Sequence, residues 1–475
     1  MNRKAMAIVL ATITAVNLAA CGSTGTESGD SSVEAPEAMS TSEEEQSSAE
    51  SSSETAEAES SDESSTEDVV TTTTGATGNT IELEYGMTGE QLKAFEEIIQ
   101  GFTDETGIGI SITQPGNGYE NAMKTRMASG DLPDIWVTHG WSVIRYSEYL
   151  MPLEDQDWYS KIDESLLPSI TDEDGHIYVL PVTEAVCGII YNKNVMDKAG
   201  IDVSAIRTWD DFTNACATIK EKEPEVSPIF MSCNDSGVNS YTLECIFPTY
   251  LTNSDVKDSK ADELKDGTFD FTTEGLDTFN LIAKWADSGY MNEDALTADL
   301  TTAQKAIGSG EAGFMFYSTE CIPPALTYNP DANIGVMPAC APVDGQMSYF
   351  GVGEGNASCF GIWKDTEYED ECKQFLEYMS RPENADRLAT DVDGGIPCLS
   401  DSQIKDAYVL NAFKEAQSQF KGDLTYDNFF DRSYQPSGMW SVFDDSMDIL
   451  LEGTASDNVN AAAENMQTNY TDLSE

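Results

Sequence analysis

From Thr80 onward the chain alternates short apolar runs of period two with longer runs of period 3.6, and this alternation constrains the fold most. Thr80-Ile81-Glu82-Leu83-Glu84-Tyr85 puts every second side chain on one face, as a half-buried strand requires. Glu90 to Glu105 sets Leu92, Phe95, Ile98, Ile99 and Phe102 on one helical face, and Gly107 stops it. Ile108-Gly109-Ile110-Ser111-Ile112 predicts a second strand, Tyr119–Ser129 a second helix, and Asp134-Ile135-Trp136-Val137 a third, buried strand. Strands alternating with helices at this spacing predict α/β layers with parallel strands. Trp136, Trp209, Trp285 and Trp363 sit inside strand or helix patterns and read as core.

The segment before Thr80 belongs to a different class. Arg3 and Lys4 precede an uncharged, mostly apolar run from Ala5 to Ala20, shorter than the roughly 20 residues of a stable membrane span. The run ends in Leu18-Ala19-Ala20-Cys21-Gly22, which resembles a bacterial lipobox. Residues 1–20 are therefore expected to be a lipoprotein signal peptide, with Cys21 lipidated and the protein held on the extracytoplasmic face of the cell membrane. From Gly22 to Gly78 there is no Lys, Arg or aromatic residue, and fifteen Asp and Glu lie between Glu27 and Asp68. Such a stretch cannot bury enough apolar surface to offset ordering entropy, so residues 21–78 read as an acidic, Ser/Glu-rich disordered tether.

About 400 residues remain, enough for two sizeable cores. The chain carries 25 Lys and Arg against 85 Asp and Glu, a formal charge of −60, and the excess persists beyond the tether. Nucleic acid is excluded as a partner, because phosphate binding needs a basic face. Nine cysteines follow Cys21, an odd number with no C-x-x-C, and they read as small buried hydrophobes rather than a disulfide framework. Only His139 and His176 are present, far apart, so no histidine metal site is expected. Asp172-Glu173-Asp174-Gly175 and Asp391-Val392-Asp393-Gly394 lack the remaining donors of a calcium loop and read as turns. Gly351-Val352-Gly353-Glu354-Gly355 lacks nucleotide-loop spacing, and no G-x-S-x-G elbow occurs. No catalytic residue and no cofactor is expected.

Several segments then resemble, in order, those of family 1 extracellular solute-binding proteins, the maltose-binding-protein type. They are Ala128-Ser129-Gly130-Asp131-Leu132-Pro133-Asp134-Ile135, Gly175-His176-Ile177-Tyr178-Val179-Leu180-Pro181, and Gly188-Ile189-Ile190-Tyr191-Asn192-Lys193-Asn194. Thr208-Trp209-Asp210-Asp211-Phe212, Gly310-Glu311-Ala312-Gly313-Phe314-Met315-Phe316 and Gly394-Gly395-Ile396-Pro397 continue the series. The resemblance implies a two-lobed periplasmic-binding-protein-like α/β fold with a multi-crossing hinge and a cleft between the lobes. The expected lobes are 79–184 plus 301–343 and 185–300 plus 344–475. It further implies a monomer that captures a carbohydrate, an oligosaccharide in particular, and delivers it to the permease subunits of an ABC importer. A surface glycan hydrolase and a binding protein for a non-sugar solute stay open as alternatives.

Sugars are held by flat aromatic faces and by planar amides and carboxylates, in loops after strand ends. Trp141 and His139 follow the third strand, and Thr88 follows the first. Glu184 lies at the crossover, Tyr317 ends the strand at Phe314–Phe316, and Asn239 and Tyr241 follow another strand end. Glu354 and Asn356 lie in a Gly-rich return crossover, and Trp440 precedes the final helices.

Overall fold

The computed structural model describes residues 69–86, 89–114, 119–138, 146–164, 166–172, 174–235, 237–354 and 359–474. Among them, thirteen strands form two sheets, both within the compact unit Ser65–Glu475.

In the first sheet Ile81 and Leu83 of β2 (Thr80–Glu84) are buried while Glu82 stays exposed, which is the predicted alternation. The helix Gly89–Thr106 buries Phe95, Ile98, Ile99 and Phe102, and Gly107 follows it at φ 75°. β3 (Gly109–Gln114) and β4 (Ile135–Thr138) run parallel to β2 on either side of it. Glu84 departs from the pattern: it is 1% exposed and accepts a 2.8 Å bond from Arg126 Nη1, which offsets the cost of burying its charge. β5 (Val179–Pro181) and the late strand β11 (Cys359–Ile362) complete the sheet, with β11 antiparallel between β4 and β5.

One boundary differs from the sequence expectation. Composition puts the end of the tether at Gly78, but β1 (Val69–Thr72) pairs antiparallel with β3 as an edge strand. Val and Thr suit a strand, and just beyond it Gln100 Oε1 accepts the Thr74 amide at 2.9 Å, anchoring the segment to the first helix.

The second sheet is built on β6 (Thr183–Asn192), buried along nearly its whole length. β8 (Ala312–Ser318) and β10 (Ser348–Glu354) lie antiparallel to β6, with β7 (Ser227–Ile229) and β13 (Leu424–Asp427) outside them. β9 (Ile334–Met337) and the two-residue β12 (Ile396–Pro397) also pair with β6. Against this sheet Trp209, Phe212, Trp285, Phe314 and Phe316 form an aromatic core, with the Phe212 and Phe314 centroids 4.7 Å apart. Both indoles are satisfied: Trp209 Nε1 donates to Thr249 at 3.0 Å and Trp285 Nε1 to Thr213 at 2.8 Å. Trp136 is likewise core at 1% exposed, while Trp363 is only partly buried. The helix Trp209–Lys222 opens with a reciprocal capping box, in which Thr208 Oγ1 accepts the Asp211 amide and Asp211 accepts the Thr208 amide.

The strands partition between the sheets differently from the expected lobe ranges. Segment 301–343 supplies β8 and β9 to the second sheet, not the first. Segment 359–392 returns to the first, where Cys372, Phe375, Leu376 and Leu388 join its core. The chain passes between the sheets at Val182, between β10 and β11, and again before β12. At the first passage Asp393 accepts from Tyr85 Oη at 2.9 Å and from Thr183 Oγ1 at 2.5 Å, tying the end of β2 to the start of β6. Asp172 is a turn residue, accepting the His176 amide and the Tyr178 hydroxyl, each at 2.8 Å. The nine cysteines after Cys21 are reduced, eight of them buried and Cys233 half-buried.

Candidate functional site

The second sheet's side of the molecule gathers four sequence candidates where the helices Ser240–Leu251 and Met439–Leu451 begin. Tyr241 and Trp440 each occupy a first helical turn, and Tyr317 lies near the end of β8. The Tyr241 and Tyr317 rings stand 4.3 Å apart, and Trp440 meets Tyr241 edge-on at 5.1 Å. Tyr241 is 5% exposed, whereas Tyr317 and Trp440 keep part of their surface open. Tyr241 is thus the buried base of an aromatic platform, and the other two carry its outer surface.

Two acids and a close backbone approach hold this platform. Gly237 has φ 88°, and a Cβ there would fall 2.7 Å from Trp440 Nε1, so the indole rests directly on backbone. Asp444 Oδ1 accepts the Ser240 amide at 3.1 Å, and the Ser240 hydroxyl donates to the Trp440 carbonyl at 2.7 Å, locking the two helix starts together. Asn239, the fourth candidate, is 1% exposed and donates Nδ2 to Asp448 at 3.2 Å, inside this joint.

Three contributors were missed by sequence reasoning. The Arg432 guanidinium lies 4.5 Å over the Trp440 ring, and the Phe429 ring is 6.0 Å from it. Glu244, 1% exposed, accepts the Phe430 amide at 2.7 Å and the Asp431 amide at 2.9 Å, fixing the segment that carries Phe429 and Arg432. Burial and the neighbouring Asp431 push the Glu244 carboxyl well above the usual carboxylate range. A signal was available: Glu244 is the lone acid in the apolar stretch Ser240–Leu251.

Glu184 stands apart from the platform, at the start of β6 and opposite Ile396 of β12. Tyr317 pairs with Gly188, so Glu184 lies about 13 Å back along the strand toward the first sheet. Its Oε2 is enclosed without a donor among the described residues, and burial, reinforced by the charge of Asp163, pushes its carboxyl up to about 8. The Glu354 backbone pairs with Ala185 beside it. Thr88, His139, Trp141 and Asn356 lie outside the described residues.

A groove of about 470 Å³ lined by Tyr191, Lys193, Asp197, Glu415 and Gln419 lies at the other end of β6 and includes none of the sequence candidates. Among the described residues, no group of three or more His, Cys, Asp or Glu side chains could hold a metal ion, and no helix is long and apolar enough to cross a membrane.

The chain resembles known proteins in both sequence and fold. The family profile described as bacterial extracellular solute-binding protein matches residues 88–386. The melibiose/raffinose/stachyose-binding protein MelE of Bacillus subtilis (strain 168) is 30% identical over 360 residues, covering 75% of this chain and 81% of that protein. A sugar transporter protein from Bacillus licheniformis, solved in complex with stachyose, superposes with a TM-score of 0.72 at 29% identity, covering 83% of this chain and 100% of that one. The MsmE binding protein of Bacillus subtilis subsp. subtilis str. 168, solved in an open conformation, gives a TM-score of 0.74 at 27% identity, covering 83% and 97% of the two chains.

Proposed function

Since the chain belongs to the bacterial extracellular solute-binding protein family, a family of binding proteins rather than enzymes, we propose that it captures an oligosaccharide of the raffinose and stachyose type and delivers it to an ABC permease. The observation that carries this reading is the platform of Tyr241, Tyr317 and Trp440. Flat aromatic faces suit the C–H surfaces of sugar rings, and a neutral Glu184 carboxyl supplies a hydrogen-bond donor and an acceptor for hydroxyls. The named ligands of MelE and of the Bacillus licheniformis protein point to the same solute class. Ligand would sit between the lobes and shift an open–closed equilibrium by binding the closed form better.

Isothermal titration calorimetry against melibiose, raffinose, stachyose and a maltooligosaccharide series tests this. Micromolar or tighter binding of a raffinose-type sugar, with the sugar recovered intact, is expected. Binding of none of the panel below millimolar concentration would overturn the reading, and release of free monosaccharide would show a hydrolase.

Attachment through Cys21 is part of the same proposal, since two acyl chains bury enough CH₂ groups, at about 0.8 kcal/mol each, for stable anchoring. Cys21→Ser should move the protein from the membrane fraction into the medium or leave an uncleaved precursor. Unchanged membrane fractionation with an unchanged mature mass would count against it.

A further inference from the structure

Two thiols lie close together in the core next to the aromatic platform. Cys187 sits in β6 between Ser318 of β8 and Gly351 of β10, and a Cβ on Gly351 would fall 3.1 Å from the Cys187 Cβ. Cys245 lies one turn beyond Tyr241 on the helix Ser240–Leu251, its Sγ 3.6 Å from the Gly188 carbonyl oxygen. The two Sγ atoms are 3.5 Å apart, and the residues are 2% and 1% exposed. Both backbones are held, one in a strand paired on both sides and the other within a helix. Closing the gap to the about 2.05 Å of a disulfide requires side-chain motion rather than refolding.

We propose that Cys187 and Cys245 form a peroxide-oxidisable pair, a modification site that closes to a disulfide inside the folded protein. One sulfur, as thiolate, attacks a peroxide oxygen; the O–O bond breaks, and a sulfenic acid forms with release of water. The second sulfur attacks the first, the S–O bond breaks, the S–S bond forms, and a second water leaves with the remaining thiol proton. The two thiols together lose two electrons, and hydrogen peroxide is reduced to two waters. Burial keeps bulky oxidants out, so the reaction is confined to small oxidants. The link joins β6 to the helix that carries Tyr241, across 58 residues of chain.

The test treats the folded full-length protein with hydrogen peroxide, quenches it, alkylates remaining thiols in denaturant and maps peptides without reduction. A Cys187–Cys245 linked peptide, lighter by two hydrogens and reversed by dithiothreitol, is expected. The unfolding midpoint should rise by about 5 °C or more on oxidation, because a long loop is closed in the unfolded chain. Cys245→Ala should lose both the link and the rise. Peroxide products confined to methionine sulfoxide, sulfinic acid or another cysteine pair would overturn the proposal. Mapping on the unsubstituted protein decides the matter even if the variant fails to fold.

Discussion

Trp440→Ala should weaken oligosaccharide binding by about 2 kcal/mol or more, roughly 30-fold, the scale of an aromatic hot spot. The indole lies against Gly237 on one side, under the Arg432 guanidinium on another, and edge-on to Tyr241, yet part of it remains open. An open aromatic face whose edges are pinned is preorganised, so little ordering cost is left for the bound sugar to offset. Because the ring is only partly buried, truncation should cost less stability than the roughly 3–5 kcal/mol of a fully enclosed tryptophan. Trp209, 2% exposed in the core, supplies the contrast: its truncation should lower the unfolding midpoint steeply while the protein that stays folded still binds. Calorimetric titration and denaturant melts on both variants check this. Normal affinity in Trp440→Ala alongside a core-sized loss of stability would remove the residue from the site.

The layers were legible in the sequence because their periods are local. The strand expected at 80–85 is Thr80–Glu84, and the helix expected at 90–105 is Gly89–Thr106. Sheet membership was not legible. Ala312–Ser318 is apolar nearly throughout and would read the same in either sheet; only pairing with β6, more than a hundred residues earlier in the chain, decides its place. Tyr241, Tyr317 and Trp440 each stand out singly, as residues near strand or helix ends, but no local pattern joins three segments so far apart. Asn239 lies beside the platform, and its bond to Asp448 shows that position alone does not reveal which way an amide turns. Arg432 carries no sequence signal because its contribution is stacking on Trp440, a tertiary contact.

Glu184 should make stability fall with pH across a range where ordinary carboxylates no longer titrate. Its carboxyl is raised from 4.5 to about 8, chiefly by burial and then by the charge of Asp163. Cys398 and Tyr426 also feel its charge, and among the described residues no cation is one of the groups that act on it. Between these two values the folded protein holds a proton that the unfolded chain has released, so the unfolded state gains stability as pH rises. Below about pH 4.5 both states are protonated and the penalty vanishes; above about pH 8 the penalty is complete. At about 1.4 kcal/mol per pH unit, and allowing for the residue's partial exposure, the full span is worth roughly 3–5 kcal/mol. Glu184→Gln keeps the shape and removes the titration. The difference in unfolding free energy between the two proteins should therefore widen in favour of the variant by about 2–3 kcal/mol from pH 6 to pH 9. The remaining acids titrate alike in both proteins and cancel in that difference. If Glu184 also donates to a bound sugar, affinity should drop as its proton leaves, with an inflection near the same pH that Glu184→Gln abolishes. Denaturant melts at five or six pH values measure the first effect and calorimetric titrations the second. A difference curve that stays flat from pH 6 to pH 9 would show that the Glu184 carboxyl is ionised throughout, and its place as a neutral donor at the start of β6 would be lost.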